Sequence, residues 1–186
     1  MSEGLPLAPN KARVFFALWP DERIQAHLQR QGRELLQRLG GKPTRAESIH
    51  LTLAFLGDVT LDRLAKAKEA AAGVWLDSFS LYLDQAGCWR HNGVGWVAPN
   101  RVPQALLGLA HDLEGRLREA GFELDDRPYS PHITLVRKAR CAPLELRIEP
   151  VEWPVHDFVL VQSQLETSGS RYTVIGRWPE QGSNAV

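Results

Sequence analysis

Cysteine is scarce in this sequence, with Cys88 and Cys141 as the only two among 186 residues. Small secreted domains that depend on disulfides carry a denser set, so this count favours a reducing compartment. Also missing are the Cys-x-x-Cys and His-Glu-x-x-His patterns of zinc sites, the Asp-rich loop of calcium sites and the Gly-rich loop that holds nucleoside triphosphates. These absences argue against a resident metal ion or other cofactor, and we expect the protein to work without one.

Long apolar runs and an excess of either charge are missing as well. No stretch of about 18 apolar residues occurs, and residues 1–11 do not combine a basic segment with an apolar one as a secretion signal does. The 22 Lys and Arg residues equal the 22 Asp and Glu residues in number, so no global positive charge attracts the chain to nucleic acid or to an acidic membrane. We expect a cytoplasmic protein with no membrane partner, in which any contact with nucleic acid is local.

The hydrophobic content, 44% of a chain of 186 residues, suits one compact domain rather than two. Residues 1–12 and 179–186 are largely small, polar or Pro-rich and show no periodicity, so we expect flexible tails around a single domain at 13–178. Balanced charge and modest size are compatible with a monomer that needs no obligate protein partner.

Apolar residues in the domain follow strand and helix periods in alternation, which predicts a mixed α and β fold. Leu106, Ala110, Leu113 and Leu117, for example, are spaced by 4, 3 and 4 residues, as on one face of a helix that ends at Gly121. The predicted helices span 20–39, 61–72 and 106–120. The predicted strands span 13–19, 49–57, 79–89, 94–97, 132–137, 155–165 and 170–178.

Two of these strands carry the same short motif. His50-x-Thr52 lies in SIHLTLAFLG, and His132-x-Thr134 lies in SPHITLVRKA, 82 residues later. With six His and six Thr in the chain, chance yields about 0.2 such matches per sequence, so two matches in equivalent strand contexts are rarely accidental. The chain therefore shows a weak internal twofold repeat that is centred on a His and a Thr.

The spacing within the motif has a chemical meaning. Because successive side chains of a strand alternate between faces, His and Thr at i and i+2 share one face, about 6 to 7 Å apart. Two imidazoles with an ordinary pKa of about 6.5 can supply one neutral base and one protonated acid at neutral pH. Threonine hydroxyls can donate hydrogen bonds to non-bridging phosphate oxygens, where negative charge collects during cleavage of a phosphodiester. His50 and His132 are therefore the candidate acid and base, and Thr52 and Thr134 are the candidate phosphate-binding residues.

The sequence resembles the two-histidine (2H) phosphoesterase superfamily and, within it, the bacterial RNA 2',3'-cyclic phosphodiesterases, also known as 2'-5' RNA ligases. The resemblance rests on both His-x-Thr motifs with their flanking residues, on RVFFALWPDE near the start and on FVLVQSQLETSGSRYTVIGRW near the end, and it spans 13–178. It implies an α+β, bilobal fold with two pseudo-symmetric antiparallel sheets, outer helices and a central cleft lined by the two motifs.

The same resemblance implies a reaction and a partner. The partner is RNA or an oligonucleotide with a 2',3'-cyclic phosphate end, which the enzyme hydrolyses to a 2'-phosphate without a metal ion. By analogy, His50 protonates the leaving 3' oxygen and His132 accepts a proton from the attacking water. The reverse reaction would join RNA ends through 2'-5' bonds, because the same acid and base serve both directions.

Members of this family place an aromatic residue and an arginine around the nucleobase, and Phe55 and Arg137 occupy the matching positions. Strict alternation along each strand predicts otherwise, since it turns Phe55 and Arg137 away from the histidines unless the strand bulges or twists. A core role for Phe55 and a solvated surface role for Arg137 are the corresponding alternatives. The segment CWRH at 88–91 departs from the Phe-Pro-rich turn expected in the family, which leaves the substrate contacts there open.

Other interpretations stay open. The motif histidines could be structural residues of unrelated strands, satisfied by hydrogen bonds. The cleft could take a smaller cyclic phosphate, such as a nucleotide or an ADP-ribose derivative, or the chain could be a non-catalytic module that binds RNA or nucleotides. The remaining histidines, His27, His91, His111 and His156, lack a partner motif, and we expect them to be structural or turn residues.

Overall fold

The computed structural model describes residues 11–141, 145–167 and 169–179. Within these ranges, strands and helices alternate much as the periodicity predicts. The α-helices are α1 (Glu22–Leu39), α2 (Leu61–Ala72) and α3 (Gln104–Glu119), and one turn of 3-10 helix covers Ala46–Ser48. The strands are β1 (Lys11–Leu18), β2 (Lys42–Pro43), β3 (Leu51–Thr60), β4 (Phe79–Trp89), β5 (Val94–Ala98), β6 (Ile133–Arg137), β7 (Glu145–Val155), β8 (Asp157–Glu166) and β9 (Gly169–Pro179).

The domain extends slightly past its predicted limits. Strand β1 begins at Lys11 and buries Ala12, and β9 continues to Pro179. These three residues therefore belong to the sheet rather than to the predicted tails. The rest of those tails, 1–10 and 180–186, lies outside the described residues.

The described strands form one antiparallel network in the order β7-β4-β5-β6-β3-β1-β8-β9, with β2 added beside β6. A single residue pair, Leu51 with Ile133, connects β3 to β6, whereas β1 and β3 pair over eight positions. The network therefore consists of two half-sheets that meet at one seam. Lobe 1 contains β3, β1, β8 and β9, and lobe 2 contains β6, β5, β4 and β7. This is the predicted α+β, bilobal arrangement of two similar antiparallel sheets.

The two lobes repeat one connection. In lobe 1 the chain runs from β1 through α1 to β3, and in lobe 2 it runs from β5 through α3 to β6. In both lobes the second strand of this unit lies beside the first and forms the seam. Since His50 and His132 immediately precede β3 and β6, the repeat places both histidines at the seam.

The helices connect the two lobes. Helix α1 begins after Asp21, whose Oδ1 accepts a hydrogen bond from the Ile24 N–H at 2.8 Å, and it packs on β6 and β7 of lobe 2. A methyl group at Gly32 would lie 3.4 Å from the Leu135 Cβ, so α1 approaches β6 closely. Helices α2 and α3 pack against each other and on β3 of lobe 1. None of the helices in the described ranges is long and apolar enough to cross a membrane.

Strand β7 is absent from the sequence prediction. It contains Pro150 and Pro154, which remove two backbone donors and break the alternation of apolar residues. The structure tolerates both prolines because β7 lies at the edge of lobe 2 and pairs only with β4 among the described strands.

A disulfide joins Cys88, near the end of β4, to Cys141, beyond the end of β6. The low cysteine count favours a reducing compartment, in which such bonds are rare, so the bond departs from what the sequence predicts. It ties the hairpin that connects β4 and β5 to the segment that follows β6.

Candidate active site

The two motif histidines are held in the same way. The Nδ1 atom of His50 lies 2.8 Å from the carbonyl oxygen of Ser48, and the Nδ1 atom of His132 lies 2.9 Å from that of Ser130. A carbonyl oxygen only accepts hydrogen bonds, so each Nδ1 carries a proton and donates it. Nε2 of each ring is therefore the nitrogen that is left to take up or release a proton.

One cleft of about 270 Å³ brings the predicted motif residues together. His50 and Thr52 line it from lobe 1, and His132 and Thr134 line it from lobe 2. Arg137 also lines this cleft. Two imidazoles, two hydroxyls and one guanidinium thus converge on a space suited to a small anionic group.

The position of Phe55 follows from a bulge in β3. Thr52 pairs with Ala17 of β1, but Ala54 pairs with the adjacent Phe16, so Leu53 has no partner in that register. The extra residue shifts the alternation by one, which gives Phe55 the same facing as Thr52. The expectation from strict alternation, that Phe55 turns away from the site, is therefore wrong.

A bulge in β6 likewise brings Arg137 to the cleft. Thr134 pairs with Trp96 of β5, and Val136 pairs with the adjacent Gly95, which leaves Leu135 without a partner in that register. The bulged leucines occupy the fourth position of both His-x-Thr-Leu motifs and lie 82 residues apart, as do Phe55 and Arg137. The internal repeat therefore includes the bulge, and the sequence expectation that Arg137 points away is also wrong.

Phe55 and Arg137 nevertheless lie in different parts of the site. Phe55 is 48% exposed, which excludes the core alternative, and it lines a second groove of about 800 Å³ together with Thr52 and His132. Because β3 and β6 are antiparallel at the seam, they leave it in opposite directions. The phenyl ring therefore marks one end of the site and the guanidinium of Arg137 marks the other.

Both histidines favour the neutral form. Burial lowers the pKa of His50 from 6.5 to about 4, and the positive charges of Arg137 and His132 act in the same direction. Burial also lowers the pKa of His132, again with help from Arg137. The carbonyl oxygens of Ser48 and Ser130 oppose these shifts because they accept hydrogen bonds from the protonated rings. A negative charge in the cleft would raise the pKa of both imidazoles.

Aromatic rings that sequence reasoning did not assign to the site surround His50. Its imidazole stacks on Trp19 with 5.4 Å between centroids and 5° between planes, and it contacts Phe15 at 4.8 Å and Tyr172 at 5.4 Å. Phe15 lies in β1, and Trp19 follows the strand, four positions after Phe15. This even spacing is the local sequence signal that the two side chains share a face. Tyr172 comes from β9, and no local pattern links it to His50.

His132 has a different neighbour, Trp89, whose ring meets the imidazole edge to face with 4.4 Å between centroids. Trp89 lines both the small cleft and the larger groove, as His132 does. It belongs to the segment at 88–91 that departs from the family pattern. The segment whose role the sequence left open therefore lies beside the second histidine.

The other histidines lie apart from the small cleft. His111 is exposed on α3, and the His156 Nδ1 atom lies 3.0 Å from Ser78 Oγ. His91 lines only the larger groove of the two pockets described. Within 11–141, 145–167 and 169–179, no group of three or more His, Cys, Asp or Glu side chains is arranged to hold a metal ion.

Comparisons with known proteins agree with this geometry. The family model described as LigT like Phosphoesterase matches residues 18–96 and 97–172, so each match contains one His-x-Thr motif. The RNA 2',3'-cyclic phosphodiesterase of Escherichia coli (strain K12) is 32% identical over 170 residues, which cover 89% of this chain and 95% of the relative. Its namesake from Thermus thermophilus is 32% identical over 188 residues, with 92% of each chain covered.

A solved structure shows the same architecture. The crystal structure of E. coli LigT complexed with 3'-AMP superimposes with a TM-score of 0.83 at 31% sequence identity. The superposition covers 92% of this chain and 99% of LigT. With both halves of the chain matched and the fold shared, this protein belongs to the LigT-like phosphoesterase family.

Proposed function

We propose that this protein hydrolyses RNA ends that carry a 2',3'-cyclic phosphate and leaves a 2'-phosphate. The observation that carries the proposal is the matched pair of histidines, each fixed through Nδ1 by a backbone carbonyl and both lining one cleft with two threonines. The E. coli and T. thermophilus relatives named RNA 2',3'-cyclic phosphodiesterase support it. The complex of E. coli LigT with 3'-AMP supports a nucleotide as the ligand.

In the proposed reaction, water attacks the phosphorus atom and the bond between phosphorus and the 3' oxygen breaks. Nε2 of His132 accepts a proton from the water, and Nε2 of His50 donates a proton to the departing 3' oxygen. Exchange with solvent then returns each ring to its starting state. General acid and base catalysis of this kind contributes about 10²- to 10⁴-fold for each group. The hydroxyls of Thr52 and Thr134 donate hydrogen bonds to the non-bridging oxygens as their charge grows.

The substrate itself supplies the protonation state that the reaction needs. Burial and Arg137 by themselves favour the neutral form of both imidazoles. A cyclic phosphate carries a negative charge, which favours protonation of an adjacent imidazole. Because the two rings influence each other, the pair shares one proton when the phosphate is bound. The bound state then contains one acid and one base.

The two ends of the site suit different parts of the nucleotide. The exposed ring of Phe55 can stack on a nucleobase with little preference among bases. The guanidinium of Arg137 can also stack on a base, as the family resemblance implies. Its position beside both histidines additionally suits it to bind a phosphate oxygen.

The proposal is tested with purified protein and a short RNA that ends in a 2',3'-cyclic phosphate. His50→Ala and His132→Ala should each abolish turnover, because each removes one half of the acid and base pair. His111→Ala is the matched control, since this histidine is exposed on α3 outside both pockets. Full activity in either motif variant, or binding of RNA without turnover by the wild-type protein, would exclude the proposed reaction.

The same acid and base can run the reaction in reverse and join RNA ends through 2'-5' bonds. Incubation of the hydrolysed ends at high concentration should then yield a small amount of 2'-5'-linked product. A smaller cyclic phosphate is the alternative substrate, and conversion of a cyclic mononucleotide without conversion of RNA would favour it. RNA binding without turnover would favour the non-catalytic module.

A monomer in the cytoplasm remains part of the proposal. Balanced charge and modest size support the monomer, and the low cysteine count supports the cytoplasm. Light scattering should give a mass near the chain mass of 20.8 kDa. The bond between Cys88 and Cys141 makes the location testable, because a reducing cytoplasm would keep these thiols open to alkylation in intact cells. Protection of both thiols from alkylation would contradict a reducing location.

A further inference from the structure

A large groove continues from the catalytic cleft. The groove has a volume of about 800 Å³, against about 270 Å³ for the cleft, and the two share Thr52, Trp89, Asn92 and His132 in their walls. The cleft and the groove therefore form one continuous depression, and His132 lies where the two meet. The two motif histidines and both threonines line its smaller part.

Aromatic rings form two walls of this groove. Phe55 of β3 presents an exposed ring on the side of lobe 1. On the side of lobe 2, Trp89 and His91 stack on each other with 6.3 Å between centroids and 29° between planes. His91 is exposed in the turn between β4 and β5. Solvent-accessible flat rings in a groove are the usual platforms for nucleobases.

The wall formed by Trp89 and His91 is fixed before any ligand arrives. Trp89 packs on the neighbouring indole ring of Trp96 with 5.5 Å between centroids. The turn closes at Gly93, which has a φ of 64° and whose carbonyl oxygen accepts a hydrogen bond from Ala139 N at 2.9 Å. A rigid platform loses little conformational entropy when a base stacks on it.

The charges around the groove suit a base rather than a phosphate. Glu114, Glu123, Asp125 and Arg127 are among the residues that line it, so three carboxylates face one guanidinium there. Glu114 pairs with Arg118, and Asp125 pairs with Arg127, so these carboxylates are partly neutralised and the net negative charge of the groove is small. An uncharged heterocycle can therefore enter the groove without the penalty that a phosphate would meet.

From these observations we infer that Trp89 and His91 form a stacking subsite for the nucleobase of a second nucleotide, the one that precedes the nucleotide with the cyclic phosphate. The inference rests on the proposed function and specifies its substrate as an RNA end of at least two nucleotides. Phe55, across the groove, then stacks on the base of the terminal nucleotide, which carries the cyclic phosphate. This subsite comes from the segment of the chain that differs from the family pattern.

The test compares kcat/KM for a dinucleotide that ends in a 2',3'-cyclic phosphate with kcat/KM for the corresponding cyclic mononucleotide. The wild-type protein should prefer the dinucleotide. Trp89→Ala should lower this preference on the order of 5- to 150-fold, the usual effect of losing one base-stacking ring, and His91→Ala should lower it in the same direction. Trp89→Phe should retain most of the preference because phenylalanine also stacks.

Trp75→Ala is the matched control, since Trp75 is a 57% exposed tryptophan that lines neither pocket. Equal kcat/KM for the two wild-type substrates would overturn the subsite while leaving the proposed function intact. Equal losses on both substrates in Trp89→Ala and His91→Ala would also overturn it, because they would indicate damage to His132 instead. Failure to convert either substrate would refute the proposed function itself.

Discussion

Trp19 covers one face of the His50 imidazole, and its replacement by alanine would open that face to water. The two rings are nearly parallel, with 5° between their planes, and burial is the largest cause of the low pKa of about 4 at His50. At pH 7 such a pKa leaves roughly one His50 side chain in a thousand protonated, whereas an ordinary imidazole with a pKa of about 6.5 is about one-quarter protonated. We therefore expect Trp19→Ala to raise the pKa of His50.

The size of the effect is bounded by the structure. The full difference between the buried and the ordinary imidazole corresponds to about 3 kcal/mol, and Phe15 and Tyr172 still cover part of the ring after Trp19 is removed. A rise in pKa of about 1 is therefore the expected scale. With this higher pKa at His50, the pair of His50 and His132 keeps its shared proton to higher pH. The alkaline limb of the pH profile of kcat/KM should therefore also move to higher pH.

Titration of the histidine ring signals by NMR measures this pKa directly. The wild-type His50 signal should titrate well below pH 6.5, and the signal of Trp19→Ala should titrate at higher pH. Trp75→Ala, which removes an exposed tryptophan, should leave the His50 titration unchanged. A wild-type His50 that titrates near pH 6.5, or one that does not respond to Trp19→Ala, would refute the account of its environment.

Three further predictions concern stability and charge development. The unfolded chain protonates His50 below pH 6.5 while the folded state resists protonation down to about pH 4, so the contribution of His50 to the free energy of unfolding should fall by about 3 kcal/mol as the pH drops through this window. His132, whose pKa is also lowered, adds a loss in the same direction, and urea titrations would show the sum. Thr52→Val and Thr134→Val should each lower kcat by about 10²- to 10³-fold with little change in melting temperature, and unchanged rates would remove the threonines from the mechanism. The disulfide closes a loop with a sequence separation of 53 residues, so Cys88→Ser with Cys141→Ser should cost about 4 kcal/mol and lower the melting temperature by about 8–16 °C, whereas an unchanged melting temperature would contradict a stabilising bond.

The pair of histidines can be predicted from the sequence because each His-x-Thr motif is local. His50, just before β3, lies two residues from Thr52, and His132, just before β6, lies two residues from Thr134. Period and hydrophobic pattern also predict the helices, since the apolar stripe of α1 ends at a glycine that can adopt positive φ. The motif spacing and the helix periodicity both depend only on residues that are close together in the chain.

The positions of Phe55 and Arg137 depend on pairing between strands, which a single strand does not reveal. The bulges at Leu53 and Leu135 are defined by the register with β1 and β5. Alternation counted along one strand therefore assigns both side chains to the wrong face. The family resemblance assigned both residues to the nucleobase and did not place them at opposite ends of the site.

Contacts between distant segments were the other source of error. Tyr172 reaches His50 from β9, and Cys88 pairs with Cys141 across a sequence separation of 53 residues. Strand β7 escaped prediction because its prolines are compatible only with an edge position. Each of these features depends on the assembled sheet rather than on a local pattern.

Hydrolysis of a cyclic-ended RNA in water labelled with oxygen-18, by EDTA-treated protein, tests the central claim most directly. Attack of water on phosphorus, followed by cleavage of the bond to the 3' oxygen, predicts a 2'-phosphate product with one labelled oxygen on phosphorus and an unlabelled 3' hydroxyl. His50→Ala and His132→Ala should form none of it. A 3'-phosphate product, or the labelled 2'-phosphate in either variant, would contradict the assignment of the two histidines.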